Sequence, residues 1–372
     1  MTGSVDPPHD RAAPAQPWDA PSIPSDQPPP GGKSRTGRFG ARWRGLGRWT
    51  KVAVITFAVV VVLGIGYGAY NISGEQQRDY DNGHAAYLEG DCADAVGPLG
   101  EAADADDDED LARTAQAELD ECEELLAADA LDTQGEAGSA VLSYSEFVTA
   151  YPSSAIVDLA ISRGQALIRG EPAERIGSLP VCAELDTLEA QGFVDESDEA
   201  MPPLLLACGE AFEGEADFVN ALTMFDRIRQ SYPDHPLQNT ASEAFVRATL
   251  AEADATGAGE LPTPDAVGSG TGATGPALVV IRNASNEELT IVFSGPEQRV
   301  EEMAACTDCE AFSGDEPDGC PAGGPEARYE VEPGSYDVVV KAATESGIIP
   351  FRGNWTLDPG QEYAQCFYIV EE

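Results

Sequence analysis

The chain has 372 residues, which is enough for two modest domains with additional segments. It carries 66 acidic against 21 basic residues, a formal net charge of −45 at pH 7. Residues 52–372 hold 62 of the acidic and 13 of the basic residues, so this part of the chain repels nucleic acid and we expect it to bind no DNA or RNA.

Residues 1–50 are predicted to be a disordered cytoplasmic tail. The first 32 are rich in Pro, Asp, Ala, Gln and Ser, and they hold too few apolar side chains to offset the entropy of the chain by burial. A basic patch follows, in which Arg and Lys are interleaved with Phe39, Trp43 and Trp49. A basic patch directly before an apolar segment is typical of the cytoplasmic side of a membrane.

Residues 51–73 are predicted to form a transmembrane helix. The run VAVITFAVVVVLGIGYGAYNISG contains no charged residue, and about 20 apolar residues suffice to cross a bilayer. A cleaved signal peptide is the alternative, but the run lies behind a long tail and exceeds the usual apolar stretch of such peptides. Because the basic residues precede the run, the sequence predicts a single-pass cell-membrane protein with its N-terminus cytoplasmic and the bulk of the chain extracytoplasmic.

All eight cysteines follow this run, in the part expected to lie in an oxidising compartment. An even number of cysteines in that setting indicates disulfides. A zinc site of four cysteines normally needs two Cys-x-x-Cys turns, and only one is present. A redox pair would need the start of a helix in a βαβ context. We therefore expect structural disulfides, no metal site and no cofactor. The cysteines are Cys92, Cys122, Cys182, Cys208, Cys306, Cys309, Cys320 and Cys366.

Residues 75–254 are predicted to be an all-α domain, because they are rich in Ala, Leu and Glu. Two segments, SAVLSYSEFVTAYPSS and NALTMFDRIRQSYPDH, place an alanine, two large apolar residues and a proline at offsets of four, seven and twelve. A third segment, DCADAVGPLGEAAD, repeats the first part of this pattern. The positions are Ala140, Tyr144, Phe147 and Pro152; Ala221, Phe225, Ile228 and Pro233; and Ala95, Leu99 and Ala102.

This pattern resembles the second helix of a tetratricopeptide repeat. The small residue of that family's first helix, twelve positions before the alanine, falls on Gly83, Ala128 and Gly209. The copies lie 45 and 81 residues apart, not 34, so the resemblance is to an irregular array. It implies a groove that binds a protein or peptide partner.

Two disulfides are predicted within the helical domain. Cys92 and Cys122 lie at similar distances from a turn expected near Asp106, so neighbouring antiparallel helices would bring them to the same height. The same argument pairs Cys182 with Cys208.

The acidic run DADDDED, from Asp104 to Asp110, is interpreted as a solvated turn before a helix. It lacks the spacing of a helix–loop–helix calcium site. Weak binding of a divalent cation remains an alternative for this run and for the acidic loop between Cys306 and Cys320.

Residues 255–276 are predicted to be a flexible linker, since they consist mainly of Gly, Thr, Pro and Ser. The run GTGATG within them matches a dinucleotide-binding pattern but lacks the preceding strand and the following helix. Residues 277–372 alternate apolar and polar side chains and predict an all-β antiparallel sandwich that resembles immunoglobulin-like domains. Of three pairings of its cysteines, we expect Cys309 with Cys320 and Cys306 with Cys366.

The multidomain chain shows no constellation typical of an enzyme. Its extracytoplasmic part contains two histidines, His84 and His235, without ligand spacing, and no Gly-x-Ser-x-Gly. We expect a membrane-anchored, extracytoplasmic, non-catalytic module for protein–protein interaction or scaffolding. One alternative is a single-pass signalling receptor or sensor that acts through the proline-rich tail. Another is an envelope carbohydrate- or cation-binding protein built on the terminal sandwich.

Overall fold

A computed structural model describes residues 74–269, 274–309, 312–313, 320–321, 323–342, 348–368 and 370–371. A helical part is followed by a β part that contains two mixed sheets, in agreement with the order of structure expected from the sequence. The predicted tail, 1–50, lies outside the described residues.

The expectation of a single-pass membrane protein is not supported. The predicted span, 51–73, also lies outside the described residues. Within the described ranges, no helix combines the length and the apolar composition needed to cross a bilayer. The longest described helix spans 25 residues, but charged side chains recur along it, and only one of its faces is buried. The single-pass architecture and the localisation in the cell membrane are therefore corrected.

Most of the longer described helices pack on their sequence neighbours, whereas two short helices contact helices farther away along the chain. In chain order they are α1 (74–89), α2 (Cys92–Ala103), α3 (Glu109–Thr133), α4 (Ala137–Ala150), α5 (Val157–Gly170), α6 (Ala173–Ile176), α7 (Leu179–Ala183), α8 (Leu185–Ala190), α9 (Met201–Gly214), α10 (Phe218–Ser231) and α11 (Gln238–Thr256).

The same turn joins three helix pairs, α1 to α2, α3 to α4 and α9 to α10. The last residue before each new helix cap has a positive φ: Gly90 at 77°, Gly135 at 81° and Ala216 at 59°. In each turn the next residue donates its N–H to a carbonyl five positions earlier. This left-handed cap closes the preceding helix and reverses the chain, so consecutive helices become antiparallel neighbours.

The apolar pattern found in the sequence forms the core of the helical part. Every alanine and large residue assigned to it on α2, α4 and α10 is buried. A methyl group at Gly83 would lie 2.7 Å from Leu99 Cγ, and one at Gly209 would lie 2.3 Å from Phe225 Cε1. Glycine is therefore needed at both positions, because the helices approach too closely for a larger residue.

The β part contains a five-stranded sheet in the order β1-β9-β8-β4-β5 and a four-stranded sheet in the order β2-β10-β3-β7, with β6 and β11 as a separate pair. The strands are β1 (Gly259–Glu260), β2 (Asp265–Ser269), β3 (Ala277–Asn283), β4 (Leu289–Ser294), β5 (Gln298–Met303), β6 (Phe312–Ser313), β7 (Glu326–Val331), β8 (Gly334–Ala342), β9 (Phe351–Leu357), β10 (Gln361–Phe367) and β11 (Val370–Glu371).

Two features of the β part differ from the expectation. Both larger sheets are mixed and not antiparallel throughout, because β1 pairs with β9 and β10 pairs with β3 in parallel. The segment expected to be a linker supplies β1 and β2. Its main chain, not its side chains, provides the pairing: the Leu261 N–H, for example, donates to the Arg352 carbonyl at 2.8 Å. Backbone groups can complete a sheet edge whatever the side-chain composition.

The helical part and the β part share an interface through α11. Val292 on β4 and Val339 on β8 are fully buried and belong to the apolar cluster of the helices, not to the core between the two sheets. An ion pair between Lys341 and Glu252, 2.7 Å apart, lies beside them. These two strands are therefore buried on both faces, which explains their uninterrupted apolar runs.

Candidate functional site: the tyrosine–carboxylate face

The eight cysteines predicted to form disulfides are joined in four bridges in the described residues. Cys92 pairs with Cys122 and Cys182 with Cys208, as expected, with Cα atoms 5.0 and 5.3 Å apart. In the β part the expected pairing is wrong, because the bonds join Cys306 to Cys309 and Cys320 to Cys366.

The local backbone explains the bond between Cys306 and Cys309. The chain reverses in a turn between them, and the Cys309 N–H faces the Cys306 carbonyl at 3.4 Å. The short separation in sequence thus becomes a short separation in space. Cys320 is left to pair with Cys366 on β10.

Tyrosine and carboxylate side chains meet where α1 lies against α3. Tyr80, His84 and Tyr87 recur at intervals of four and three residues, which places them on one face of α1. Their rings form a row, with centroids 5.2 Å apart between the first two and 6.2 Å apart between the last two. Together with Glu118 and Glu121 of α3 and with Ser154, these residues form what we call the tyrosine–carboxylate face.

Glu118 accepts hydrogen bonds from two side chains of α1. The Tyr80 hydroxyl donates to Oε1 at 3.1 Å. His84 Nδ1 lies 2.9 Å from Oε1 and 3.0 Å from Oε2. The Glu118 side chain is 12% exposed, so its carboxylate is reached by solvent only at the edge of the face.

Glu121 is held by hydroxyl groups. Its Oε2 accepts from the Tyr87 hydroxyl at 2.5 Å and from Ser154 Oγ at 2.6 Å. The Tyr87 oxygen also accepts from the Ala155 N–H at 3.2 Å, which fixes the ring against the start of α5. Both hydroxyl groups bind the same oxygen, so Oε1 of Glu121 accepts no hydrogen bond from the described residues.

The tyrosines of this face stay protonated well above neutral pH. Burial, followed by the negative charge of Glu118, raises the pKa of Tyr80 to about 12. Burial and the hydrogen bond to Glu121 raise the pKa of Tyr87. The phenols therefore act as neutral donors that orient the two carboxylates without cancelling their charge.

Charge compensation differs between this face and the rest of the helical part. Residues 74–133 contain 20 acidic residues and two arginines. Away from the tyrosine–carboxylate face, four carboxylates pair with an arginine of another helix or segment. These pairs are Asp129 with Arg163, Asp198 with Arg169, Glu189 with Arg227 and Glu213 with Arg247.

Two clefts lie elsewhere in the described residues. One of about 670 Å³ lies between α5 and the start of α9, and its Arg169 is paired with Asp198. Another of about 530 Å³ lies between α11 and β5, and its Arg299 is paired with Glu301. Each cleft thus holds an arginine that is already paired with a carboxylate of the same chain.

The other residues singled out in the sequence do not join this face. Asp108, in the acidic run, caps α3 by accepting from the N–H groups of Asp110 and Leu111 at 3.0 and 3.1 Å. His235 Nδ1 accepts from the Leu237 N–H at 3.2 Å in a turn. No cluster of side chains suited to a metal ion occurs in the described ranges. The GTGATG run, 270–275, lies mostly outside them, as does most of the acidic loop after Cys309.

Sequence reasoning missed the tyrosine–carboxylate face, although part of the signal was present. The run YDNGHAAY places its aromatic residues at helical spacing. Nothing in the run indicates that Glu118 and Glu121, more than thirty residues later, lie opposite. Only the packing of α1 on α3 brings the two sets together.

Comparison of the chain with protein-family models and with curated proteins finds no match. The resemblances to tetratricopeptide repeats and to immunoglobulin-like domains stay unconfirmed.

Proposed function

We propose that this protein is a non-catalytic interaction module whose helical part binds a positively charged segment of a partner protein. The observation that carries the proposal is a charge imbalance. Residues 74–256 contain 41 acidic residues and eight arginines. Seven of these arginines already form ion pairs with acidic residues of the same part. Among the residues that the structure describes, most of these acidic side chains therefore have no basic partner.

The tyrosine–carboxylate face supplies the chemistry for recognising a cation. A carboxylate can accept about four hydrogen bonds; Glu121 accepts two at one oxygen, and the described residues donate none to the other. A guanidinium or ammonium group could donate to that oxygen in a charge-assisted hydrogen bond. The partly exposed ring of Tyr80 offers aromatic surface for the same group.

The surrounding field favours such a partner before contact is made. Acidic residues concentrated in α1, α2 and α3 attract a basic segment and speed its association. The attraction is screened by salt, with a Debye length of about 8 Å at physiological ionic strength. Binding is thus expected to weaken as salt is added.

The four disulfides support an oxidising, extracellular setting for this interaction. We infer a non-catalytic role from the sequence, and the histidines have the following contacts. In the described part of the chain, no Ser, Thr or Cys side chain forms a hydrogen bond with His84 or His235. The contacts of His84 are with a tyrosine and a carboxylate.

Calorimetric titration of the full-length protein with a deca-arginine peptide tests the proposal. We expect binding that weakens with salt, and no binding of deca-glutamate. Replacing both carboxylates, in Glu118→Gln with Glu121→Gln, should weaken the binding by about tenfold or more, because hydrogen bonds to charged groups are worth about 1.5–3 kcal/mol.

The matched control is the pair Glu210→Gln and Glu215→Gln, which removes the same charge from exposed positions on and after α9. An equal loss in both double variants would show that the binding depends on overall charge and not on this face. No binding by the unaltered protein would overturn the proposed function itself.

A further inference from the structure

The four disulfides differ in their access to solvent. Both bridges of the helical part are buried, and their cysteines are at most 3% exposed. In the bridge between Cys306 and Cys309, the first cysteine is buried. In the bridge between Cys320 and Cys366, the first cysteine is exposed and the second is partly exposed. This last bridge is therefore the one that a thiol from solution reaches most easily at both sulfurs.

A guanidinium group lies next to the same bridge. Arg282 Nη1 is 4.0 Å from Cys320 Sγ, and Nη2 donates to Glu326 at 2.7 Å. Arg282 on β3 is directly opposite Cys366 on β10 in the parallel register. A positive group beside a sulfur stabilises its thiolate form, and a more stable thiolate leaves a disulfide faster.

The chain around the bridge is held independently of it. Asn283 Nδ2 donates to the carbonyls of Glu287 at 2.8 Å and of Ala304 at 2.9 Å. The Asn283 main-chain N–H donates to the Pro325 carbonyl at 3.0 Å. Both ends of the connection between β5 and β7 are thus anchored to the end of β3. Opening the bridge would not remove these anchors.

We propose that the disulfide between Cys320 and Cys366 is a reversible thiol-exchange site, with Arg282 stabilising the departing Cys320 thiolate. An external thiolate attacks Cys366 Sγ, forming a mixed disulfide as the bond to Cys320 breaks. The electron pair of that bond stays on Cys320 Sγ, beside Arg282. A second thiolate attacks the external sulfur of the mixed disulfide and releases Cys366 as a thiolate. The Cys320 and Cys366 thiolates then take up, through water, the two protons that the external thiols lost on ionisation. Two external thiols are oxidised to one disulfide, and the bridge is reduced to two thiols.

Stepwise reduction of the full-length native protein with reduced glutathione tests this assignment. Free thiols are blocked with one alkylating reagent at each step, and mass spectrometry of peptides then reports each bridge separately. We expect the bridge between Cys320 and Cys366 to open first, at about tenfold less glutathione than the two helical bridges, and to re-form with oxidised glutathione.

Variants of two neighbouring arginines separate the role of Arg282 from a general loss of charge. Arg282→Gln should slow the reduction of this bridge by several fold, and Arg282→Lys should restore most of the rate. Arg328→Gln is the matched control, because Arg328 also lies near Glu326 but is not in contact with Cys320 in the described residues. Opening of the Cys306–Cys309 bridge first, or equal rates in both Gln variants, would overturn the proposal.

Discussion

The helical part and the β part build their cores from contacts of different range. In the helical part, each hairpin buries side chains against a partner close in sequence; Gly209 lies against Phe225, for example. In the β part, the indole N–H of Trp355 donates to the carbonyl of Pro262, 93 residues earlier. The first kind of core can form one hairpin at a time, whereas the second requires distant segments to meet before it is stabilised.

The disulfides follow the same division. In the helical part they join neighbouring helices inside the core, where they are shielded from solvent. In the β part they lie near one end of β3, and one of them includes an exposed cysteine. Buried bridges of this kind stabilise the fold, whereas an exposed bridge can also take part in exchange.

The strongest test of this comparison removes one large core residue from each part. Phe225→Ala and Trp355→Ala should each lower the free energy of unfolding by about 3–5 kcal/mol, because both side chains are fully buried. Since Val292 and Val339 join the two parts through α11, we expect one cooperative transition in both variants. Far-ultraviolet circular dichroism of the helices in both variants, compared with Trp355 fluorescence in Phe225→Ala through the same denaturant titration, checks this. Two separate transitions would show that the interface does not couple the parts.

The close contact inside the helical part can be tested by adding one methyl group. Gly209→Ala should lower the free energy of unfolding by about 1–3 kcal/mol, because its Cβ would overlap the Phe225 ring. Gly214→Ala, in the same helix, places its Cβ in open space and should raise the stability by up to about 1 kcal/mol. The difference in thermal unfolding temperature between the two variants measures how tightly Gly209 packs against Phe225. Equal changes in stability would mean that α9 and α10 move apart at little cost to accept the added methyl group.

The ion pair at the interface should make a smaller contribution. The side chains of Lys341 and Glu252 are each 13% exposed, and Lys341→Met should cost about 1–2 kcal/mol because a charged hydrogen bond is lost. Arg113→Met is the exposed control: its pair with Asp110 is largely solvated, so the loss should stay within about 0.5 kcal/mol. Denaturant unfolding, combined with Glu252→Gln in a double-mutant cycle, measures the coupling. A coupling energy near zero would mean that the ion pair does not stabilise the interface and that its apolar contacts do so alone.

The last prediction concerns the tyrosine–carboxylate face, whose contribution to stability does not change with pH near neutrality. The pKa of Tyr80 is raised from 10.0 to about 12, so the folded state holds this proton more tightly than the unfolded state. Its contribution is fully present below pH 10 and is lost as the pH rises through about 12. The ultraviolet absorbance of ionised tyrosine should show a late step that is missing in Tyr80→Phe. A step near pH 10 for Tyr80 would contradict the buried contact with Glu118.

Short-range patterns in the sequence were sufficient to predict the helices and the two helical disulfides. The shared offsets around Ala140 and Ala221 identified buried positions, and the distances of Cys92 and Cys122 from a turn identified their pairing. Both inferences use only the geometry of a helix and its neighbour, in which position along the chain gives position in space.

Other features of the fold and of the candidate site were determined only by the tertiary structure. The pairing of Cys320 with Cys366, the use of the linker as β1 and β2, and the meeting of Tyr80 with Glu118 depend on how separate elements pack. Strand order and register are set by many weak contacts between distant residues, which no local pattern encodes. The composition determined that the chain is strongly acidic, and the folded structure determined which of the described carboxylates pair with an arginine.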